Sequence, residues 1–217
     1  MALICGIDEA GRGPVIGPLV IAGILIGESD LDTIKDAKDS KLLTHKQRLR
    51  LCTKIEQRVS KYKLIVIQPE EIDRAVDGND GLNLNWLEAR KTAEIINHLK
   101  PDKAFIDCPS PNIKAYTSYL KEFINNKGVE LVVEHKADSS YKIVSAASIL
   151  AKCKREEEVT KIEKKVGQSI GSGYPSNPIC QKFLKENWDK YPDIFRKSWS
   201  SYKGVVKKIG QSELGDF

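Results

Sequence analysis

Two acidic side chains stand next to each other in the stretch GIDEAGRGP, residues 6–14. Asp8 and Glu9 follow a short apolar run that predicts a buried strand, and such a strand keeps a carboxylate close to the sheet. Two adjacent acids are poor turn formers, so the pair indicates chemistry rather than a simple change of chain direction. Arg12 follows between two glycines, which allow backbone conformations that other residues avoid.

Two further predicted strands also end at an acid. Asp107 follows the run KAFI, and Asp138 comes shortly after the run VELVVE. Sites of α/β proteins assemble at strand ends. Carboxylates gathered there repel one another unless a cation lies among them, and a hard divalent cation with oxygen ligands is the natural partner. A helix cap is the alternative role for Asp138, because two serines and a predicted helix follow it.

The spacing within the acidic pair sets a condition on its geometry. Neighbouring residues of a regular strand point to opposite faces of the sheet. Asp8 and Glu9 can therefore serve one site only if the backbone leaves regular β geometry at that point. The glycines that follow would permit such a departure.

The rest of the pattern predicts an α/β domain with a mixed sheet, because strand-like runs come first and then alternate with helical periodicity. The predicted strands are residues 2–7, 15–26 (one or two strands), 62–67, 103–107 and 129–134. The predicted helices are residues 44–60, 82–99, 113–123, 142–166 and one opened by Asn177-Pro178, with a helical tail after it.

Composition indicates a soluble protein of the cytoplasm. Charged residues make up 30% of the 217 residues. The first residues lack the features of a signal peptide, and the longest apolar run, residues 15–26, is too short and too interrupted for a transmembrane helix. The five cysteines show no metal-ligand spacing. We interpret them as small apolar residues, with an incidental disulfide as the alternative.

The positive charge is concentrated near the C-terminus. Residues 1–151 hold 21 basic and 21 acidic residues, whereas residues 152–217 hold 14 and 9, so the whole net charge of +5 lies in the last third. A basic end on a neutral body favours a polyanionic partner. A charged surface that only keeps the protein in solution is the alternative.

Five segments of the chain resemble the signature segments of the ribonuclease HII family. They stand in the family's order between residue 4 and about residue 187, and they read GIDEAGRGPVIGPLVIAG, DSKLLT, AFIDCP, HKADSSYKIVSAASILAK and GSGYPSNP. The resemblance is closest to the compact archaeal-like members. It implies an RNase H-like mixed sheet flanked by helices, with residues 1–170 as the catalytic domain and residues 171–217 as a small helical C-terminal substrate-binding region. One departure is Asn177, where the family usually has Asp.

The resemblance implies an endonuclease that hydrolyses the RNA strand of RNA–DNA hybrids. It also implies cutting 5′ of ribonucleotides embedded in duplex DNA, which leaves a 3′-hydroxyl and a 5′-phosphate. The implied catalytic residues, which are also the implied ligands of Mg²⁺ or Mn²⁺, are Asp8, Glu9, Asp107 and Asp138. The implied substrate-binding residues are Gly11, Arg12, Gly13, Ser40, Lys41 and Tyr174.

These residue types suit the implied chemistry. Two divalent ions roughly 3.5–4 Å apart can activate water, neutralise the phosphate and stabilise the leaving oxygen. The 2′-hydroxyl distinguishes RNA from DNA, and the glycines beside Arg12 let the backbone approach it closely. Tyr174 could stack on the same sugar, with ordinary packing between the two domains as the alternative.

Three other assignments stay open on the sequence alone. Another metal nuclease or strand transferase would not need the glycine-arginine-glycine turn or Tyr174. Ribonuclease HIII carries an extra N-terminal domain, for which an acid at residue 8 leaves no room. A non-catalytic nucleic-acid-binding module would not need four acids. The expected partners are an RNA–DNA hybrid and a ribonucleotide-containing DNA duplex, with no membrane and a monomeric protein. The tail GQSELGDF weakly resembles a peptide that binds a sliding clamp.

Overall fold

A computed structural model describes residues 2–42, 44–78 and 81–214, but not the side chains of residues 38–42, 45 and 209–214. The strands are β1 (Leu3–Ala10), β2 (Leu19–Gly27), β3 (Lys61–Ile67), β4 (Lys103–Asp107) and β5 (Glu130–Glu134). The helices are α1 (His45–Arg58), α2 (Pro69–Asp77), α3 (Leu84–Leu99), α4 (Ile113–Phe123), α5 (Ala137–Ser140), α6 (Lys142–Val166), α7 (Pro178–Asn187) and α8 (Ser200–Leu214). Within these described ranges, no helix is both long and apolar enough to cross a bilayer.

The described strands form a five-stranded mixed sheet in the order β3-β2-β1-β4-β5. The central strand β1 runs antiparallel to β2 and parallel to β4, and β4 runs parallel to β5. All nine residues of β2 are buried, as expected of a Val- and Ile-rich run that is covered on both faces. The predicted mixed α/β sheet is confirmed.

The chain divides into two compact units, and neither is continuous in sequence. The first contains Met1–Ala10, Val20–Val66 and Leu84–Lys154, and the second contains Gly11–Leu19, Ile67–Asn83 and Arg155–Phe217. Two early segments and the second half of α6 thus belong to the same compact unit as the C-terminal residues.

The first unit contains the sheet and the helices that cover it. Its core is aliphatic and includes side chains of β1, β2, α1 and the first half of α6. Helix α1 begins with a capping box, in which the Gln47 amide donates to Thr44 Oγ1 at 3.3 Å and the Thr44 amide donates to Gln47 Oε1 at 2.9 Å. All five cysteines of the protein are free thiols.

The second unit has its own apolar core, which includes Ile16, Phe183, Phe195 and Tyr202. Helix α7 begins at Pro178, and Asn177 caps it by accepting a hydrogen bond from the Cys180 amide at 3.1 Å. The departure from the usual Asp at position 177 therefore preserves the cap.

Two elements differ from the sequence-based expectation. Helix α2 is absent from the predicted elements; Pro69, which follows the predicted strand 62–67, opens this helix at a position where its missing N–H is harmless. Glu28–Leu42 forms a 3₁₀ stretch that the helical period of 3.6 does not reveal, because its residues repeat every three positions.

We expect two glycine substitutions to have opposite effects on the free energy of unfolding. A Cβ added at Gly6 would lie 2.8 Å from the backbone nitrogen of Val144 in α6, so Gly6→Ala should destabilise the protein by about 1–3 kcal/mol. A Cβ at Gly204 in α8 would meet nothing within 4 Å, so Gly204→Ala should stabilise by about 0.5–1 kcal/mol. Urea unfolding of both variants checks this, and an unaffected Gly6→Ala would contradict the close approach of α6 to β1.

Candidate active site

Asp8 and Asp107 lie side by side at the carboxyl ends of two parallel strands. The register of β1 and β4 pairs Ile7 with Ile106, so the two acids are the next residues along their strands. Side chains in register on neighbouring strands share one face of the sheet. Asp107 therefore ends its strand as predicted, whereas two further residues of β1 follow Asp8.

Asp8 is a buried carboxyl group, only 6% exposed. Burial raises its pKa to about 7, and the nearby charge of Asp107 also raises it. A hydrogen bond with Ser148, another from the Glu9 amide at 2.7 Å and the positive charge of Lys152 act in the opposite direction. Ser148 and Lys152 are four residues apart on α6, so they present the same face of that helix to Asp8.

Asp107 interacts with two other acids, because its charge affects Asp8 and the charge of Asp138 affects Asp107. Burial raises the pKa of Asp107, the charge of Asp138 raises it further, and the Ala137 amide, which donates to Asp107 Oδ1 at 3.2 Å, lowers it. Asp138 is the second residue of α5, and the cap position belongs to Lys136, whose φ is 58°. Asp138 therefore does not occupy the cap position of α5.

Glu9 lies on the opposite face of the sheet from Asp8. Strand β1 does not end at Ile7 but stays paired with β2 through Ala10, with Glu9 opposite Ile21. Burial raises the pKa of Cys108 and of Tyr116, and the charge of Glu9 raises both further. Asp8 instead interacts with Ser148 and Lys152 of α6. The departure from β geometry that would bring both acids to one face does not occur within β1.

The arrangement of the carboxylates bears on whether they could bind a metal ion. Among residues 2–42, 44–78 and 81–214, no three His, Cys, Asp or Glu side chains are arranged so that they could hold a metal ion together. The donor chemistry nevertheless suits a hard divalent cation, because Asp8, Asp107 and Asp138 offer oxygen atoms. Besides burial, the charge of Asp107 raises the pKa of Asp8, and the charge of Asp138 raises the pKa of Asp107. A cation would relieve that repulsion.

The glycine-arginine-glycine turn and Tyr174 lie together in the second unit. Gly11 has a φ of +87°, and a Cβ there would collide with the side chain of Arg155. A Cβ at Gly13 would lie 3.1 Å from Cε1 of the Tyr174 ring. That ring is 41% exposed, and the Arg155 guanidinium carbon lies 5.7 Å from its centroid. The structure thus brings the predicted turn and tyrosine together.

Other predicted substrate residues are less fully described. Ser40 and Lys41 belong to the 3₁₀ stretch by their backbone, and their side chains lie outside the described residues. Several basic residues of the C-terminal third form ion pairs, namely Lys203 with Asp77 at 2.9 Å, Lys161 with Glu157 at 2.6 Å, and Lys165 with Asp193. For these lysines the pairing favours the alternative of a solvated charged surface.

The sequence did not indicate the roles of four residues that contact the acids or the glycine-arginine-glycine turn. Ser148 forms a hydrogen bond with Asp8 and Lys152 places a positive charge near it. Arg155 lies against Gly11, and Arg196 donates a hydrogen bond to the Gly11 carbonyl. The signal for the first two was their helical spacing on α6 after the third acid. Nothing in the local pattern around Arg196 indicates that it is fully buried.

The sequence model of one protein family, described as Ribonuclease HII, matches residues 5–202. The chain belongs to the ribonuclease HII family. It is 42% identical to Ribonuclease HII of Methanococcus maripaludis strain C5, over 98% of this chain and 90% of the relative. It is 39% identical to Ribonuclease HII of Pyrococcus furiosus, over 95% of this chain and 92% of the relative.

Solved structures agree with this ribonuclease HII assignment. The chain is similar to ribonuclease H2 from Pyrococcus horikoshii OT3 with a TM-score of 0.85 and 38% identity, covering 95% of this chain and 98% of that one. It is also similar to the structure of the PCNA:RNase HII complex from Archaeoglobus fulgidus, with a TM-score of 0.81, 36% identity and coverage of 91% and 95%. Bst-RNase HIII in complex with Mn²⁺ shares the fold, with a TM-score of 0.78 at 20% identity.

The family membership confirms the resemblance drawn from the sequence, including the RNase H-like sheet and the archaeal relatives. The protein is therefore an endoribonuclease, a hydrolase that acts on the RNA strand of RNA–DNA hybrids. The alternatives of a ribonuclease HIII and of a non-catalytic binding module are set aside.

Burial of Asp8 makes stability depend on pH in a definite direction. Because its pKa is about 7 in the folded protein and about 4 in an unfolded chain, the folded state holds an extra proton between those values. The free energy of unfolding should therefore fall as pH rises from about 4 to 7. In EDTA, Asp8→Asn should be more stable than wild type at pH 8, and the difference should shrink at pH 5.

Thermal unfolding of wild type and Asp8→Asn at both pH values measures this difference. The matched control is Asp32→Asn, which changes an acid whose side chain is 89% exposed. The control should differ from wild type equally at pH 5 and pH 8. An equally constant difference for Asp8→Asn would show that burial does not hold the proton on Asp8.

Proposed function

We propose that this ribonuclease HII requires a divalent metal ion, Mg²⁺ or Mn²⁺, held by Asp8, Asp107 and Asp138 and by Glu9, whose side chain must turn from the opposite face of the sheet when the ion binds. We further propose that it cuts 5′ of ribonucleotides embedded in duplex DNA, leaving a 3′-hydroxyl and a 5′-phosphate. The observation that carries the metal proposal is the buried Asp8 beside Asp107 at the carboxyl ends of two parallel strands. The Mn²⁺ complex of the fold relative Bst-RNase HIII agrees with it.

The surrounding groups of the protein hold these acids in place. The Glu9 amide and Ser148 fix the carboxylate of Asp8, and the Ala137 amide fixes that of Asp107. Bound ions would neutralise the scissile phosphate, activate the attacking water and stabilise the leaving oxygen. Lys152 places a positive charge near Asp8, which favours the ionised carboxylate that a hard cation prefers.

Replacing Asp8 or Asp107 should abolish cleavage without abolishing substrate binding. Asp8→Asn and Asp107→Asn keep the side-chain shape but remove the negative charge that a cation needs. The expected loss in kcat is at least about a thousandfold, the equivalent of roughly 4 kcal/mol. Cleavage of a labelled RNA–DNA hybrid in Mg²⁺, with binding measured separately, checks this.

Glu134→Gln provides the matched control for these two variants. Glu134 is the residue of β5 paired with Asp107, but it is exposed and accepts a hydrogen bond from Tyr141 at 3.0 Å. Its substitution should leave kcat close to wild type. Near-normal turnover by Asp8→Asn would remove the metal assignment, as would full activity of the wild-type protein in EDTA.

The turn and Tyr174 are proposed to recognise the ribonucleotide. Ser40 and Lys41 are proposed as further substrate-binding residues, and we assign Lys41 to phosphate contact. Gly13 is exposed and leaves the backbone of the turn accessible there, whereas Gly11 is buried against Arg155. The exposed Tyr174 ring beside Gly13 offers a flat surface and a hydroxyl group to the same sugar. The 2′-hydroxyl is the group that such contacts must detect.

Variants of Tyr174 should lose more activity on a duplex with one ribonucleotide than on an RNA strand paired with DNA. A single ribonucleotide offers one 2′-hydroxyl, whereas neighbouring hydroxyls help to position an RNA strand. Losing one such hydrogen bond costs roughly 1–3 kcal/mol, about ten- to a hundredfold in rate. Tyr174→Phe removes the hydroxyl alone, and Tyr174→Ala, which also removes the ring, should be worse.

The measurement is the ratio of cleavage rates on the two substrates for wild type and both variants. An equal loss on both substrates for Tyr174→Ala would assign the ring to general binding or packing. Recognition of the ribonucleotide would then belong elsewhere.

A sliding clamp stays a proposed partner. The relative from Archaeoglobus fulgidus was solved as a PCNA:RNase HII complex. We propose that the tail GQSELGDF carries the corresponding contact, and residues 215–217 of that tail lie outside the described residues. The monomeric state, the cytoplasmic location and the division into catalytic and substrate-binding regions also remain predictions.

A further inference from the structure

Arg196 is a fully buried arginine that binds the backbone of the glycine-arginine-glycine turn. Its exposed fraction is 0%. Its Nη2 donates to the carbonyl of Gly11 at 2.6 Å, its Nη1 to that of Arg12 at 2.9 Å, and its Nε to that of Gly17 at 2.9 Å. One side chain from the C-terminal region therefore holds both ends of the segment that follows β1.

Trp199 completes the arrangement three residues later. Its indole Nε1 donates to the carbonyl of Gly13 at 3.2 Å, and its ring centroid lies 5.0 Å from the guanidinium carbon of Arg196. The carbonyls of three consecutive residues, 11–13, are thus bound by two side chains that also contact each other. The Arg196 amide adds a backbone bond to the Val15 carbonyl at 2.9 Å.

These bonds determine which way the peptide groups of the turn face. In a planar trans peptide the C=O and the following N–H point in opposite directions. Carbonyls of Gly11 and Arg12 that face the buried guanidinium therefore direct the amides of Arg12 and Gly13 away from it. Rotation of either peptide would leave a buried charged donor without its acceptor, which is costly. The turn therefore has one strongly preferred orientation before substrate binds.

We propose that Arg196 and Trp199 are positioning residues for ribonucleotide recognition, because they preset the amides of the turn that reads the 2′-hydroxyl. This inference rests on the proposed role of the turn. The two side chains act through the backbone of residues 11–13 and have no contact with substrate in this scheme. Discrimination between a ribonucleotide and a deoxyribonucleotide thus depends on residues of the C-terminal region.

The test compares variants of these residues on a duplex with one ribonucleotide and on an RNA strand paired with DNA. Trp199→Phe retains an aromatic ring and removes the indole N–H. Arg196→Lys keeps the positive charge but removes the guanidinium, which donates to the carbonyls of Gly11, Arg12 and Gly17. The ratio of kcat/KM on the first substrate to that on the second should fall about tenfold in Trp199→Phe, as for one lost hydrogen bond, and further in Arg196→Lys.

Arg58→Lys is the matched control, since Arg58 Nη1 also donates to a backbone carbonyl, that of Thr33 at 2.6 Å, far along the chain from the turn. Its ratio should equal that of wild type. Thermal unfolding identifies any variant that fails to fold. NMR amide shifts of Arg12 and Gly13 in the free protein should move in Trp199→Phe, which reports on the turn independently of activity.

The outcomes separate this inference from the function on which it rests. A wild-type protein that does not cut the single-ribonucleotide duplex would overturn the proposed function and this inference with it. A wild type that cuts this duplex, with Trp199→Phe showing an unchanged ratio and unmoved amide shifts, would overturn this inference alone. An equal loss of rate on both substrates would likewise assign Arg196 and Trp199 to general support of the fold.

Discussion

Burying the carboxyl group of Asp8 near the end of the central strand disfavours its charged form, and the groups around it reduce that cost. Parallel strands place Asp107 beside it, which adds repulsion. The Glu9 amide, Ser148 and Lys152 oppose both effects by bonding to or facing the charged form. A bound cation would stabilise the charged form of this buried acid and reduce its repulsion with Asp107, which is the physical basis of the metal proposal.

In the second unit, the conformation of the glycine-arginine-glycine turn depends on hydrogen bonds from the buried Arg196 to backbone carbonyls. Gly11 adopts a φ that only glycine reaches without strain, and Arg155 occupies the space where its side chain would be. Arg196 then bonds the carbonyls that this conformation presents. Gly11 therefore permits the backbone conformation of the turn, and the hydrogen bonds from Arg196 stabilise it.

Much of the fold follows from local pattern. The helix 142–166 and the strand 103–107 have the predicted bounds, because their periodicity and their flanking residues agree. The helix α2 was missed since a proline can stop one element and open the next. The extent of β1 was also missed, because its pairing with β2 carries the strand past the two acids, and local sequence cannot show which strand will be its neighbour.

The sequence by itself determined the family, the acid at the end of β4 and the presence of the glycine-arginine-glycine turn, because these depend on the order and type of nearby residues. The tertiary structure decided that Asp8 and Glu9 face opposite sides of the sheet, since strand register is set by partners remote in sequence. It also decided the role of Arg196, whose bonds to Gly11 and Arg12 join residues more than 180 positions apart. Separation of that size leaves no local pattern, because only the folded chain brings a buried donor to the carbonyls it bonds.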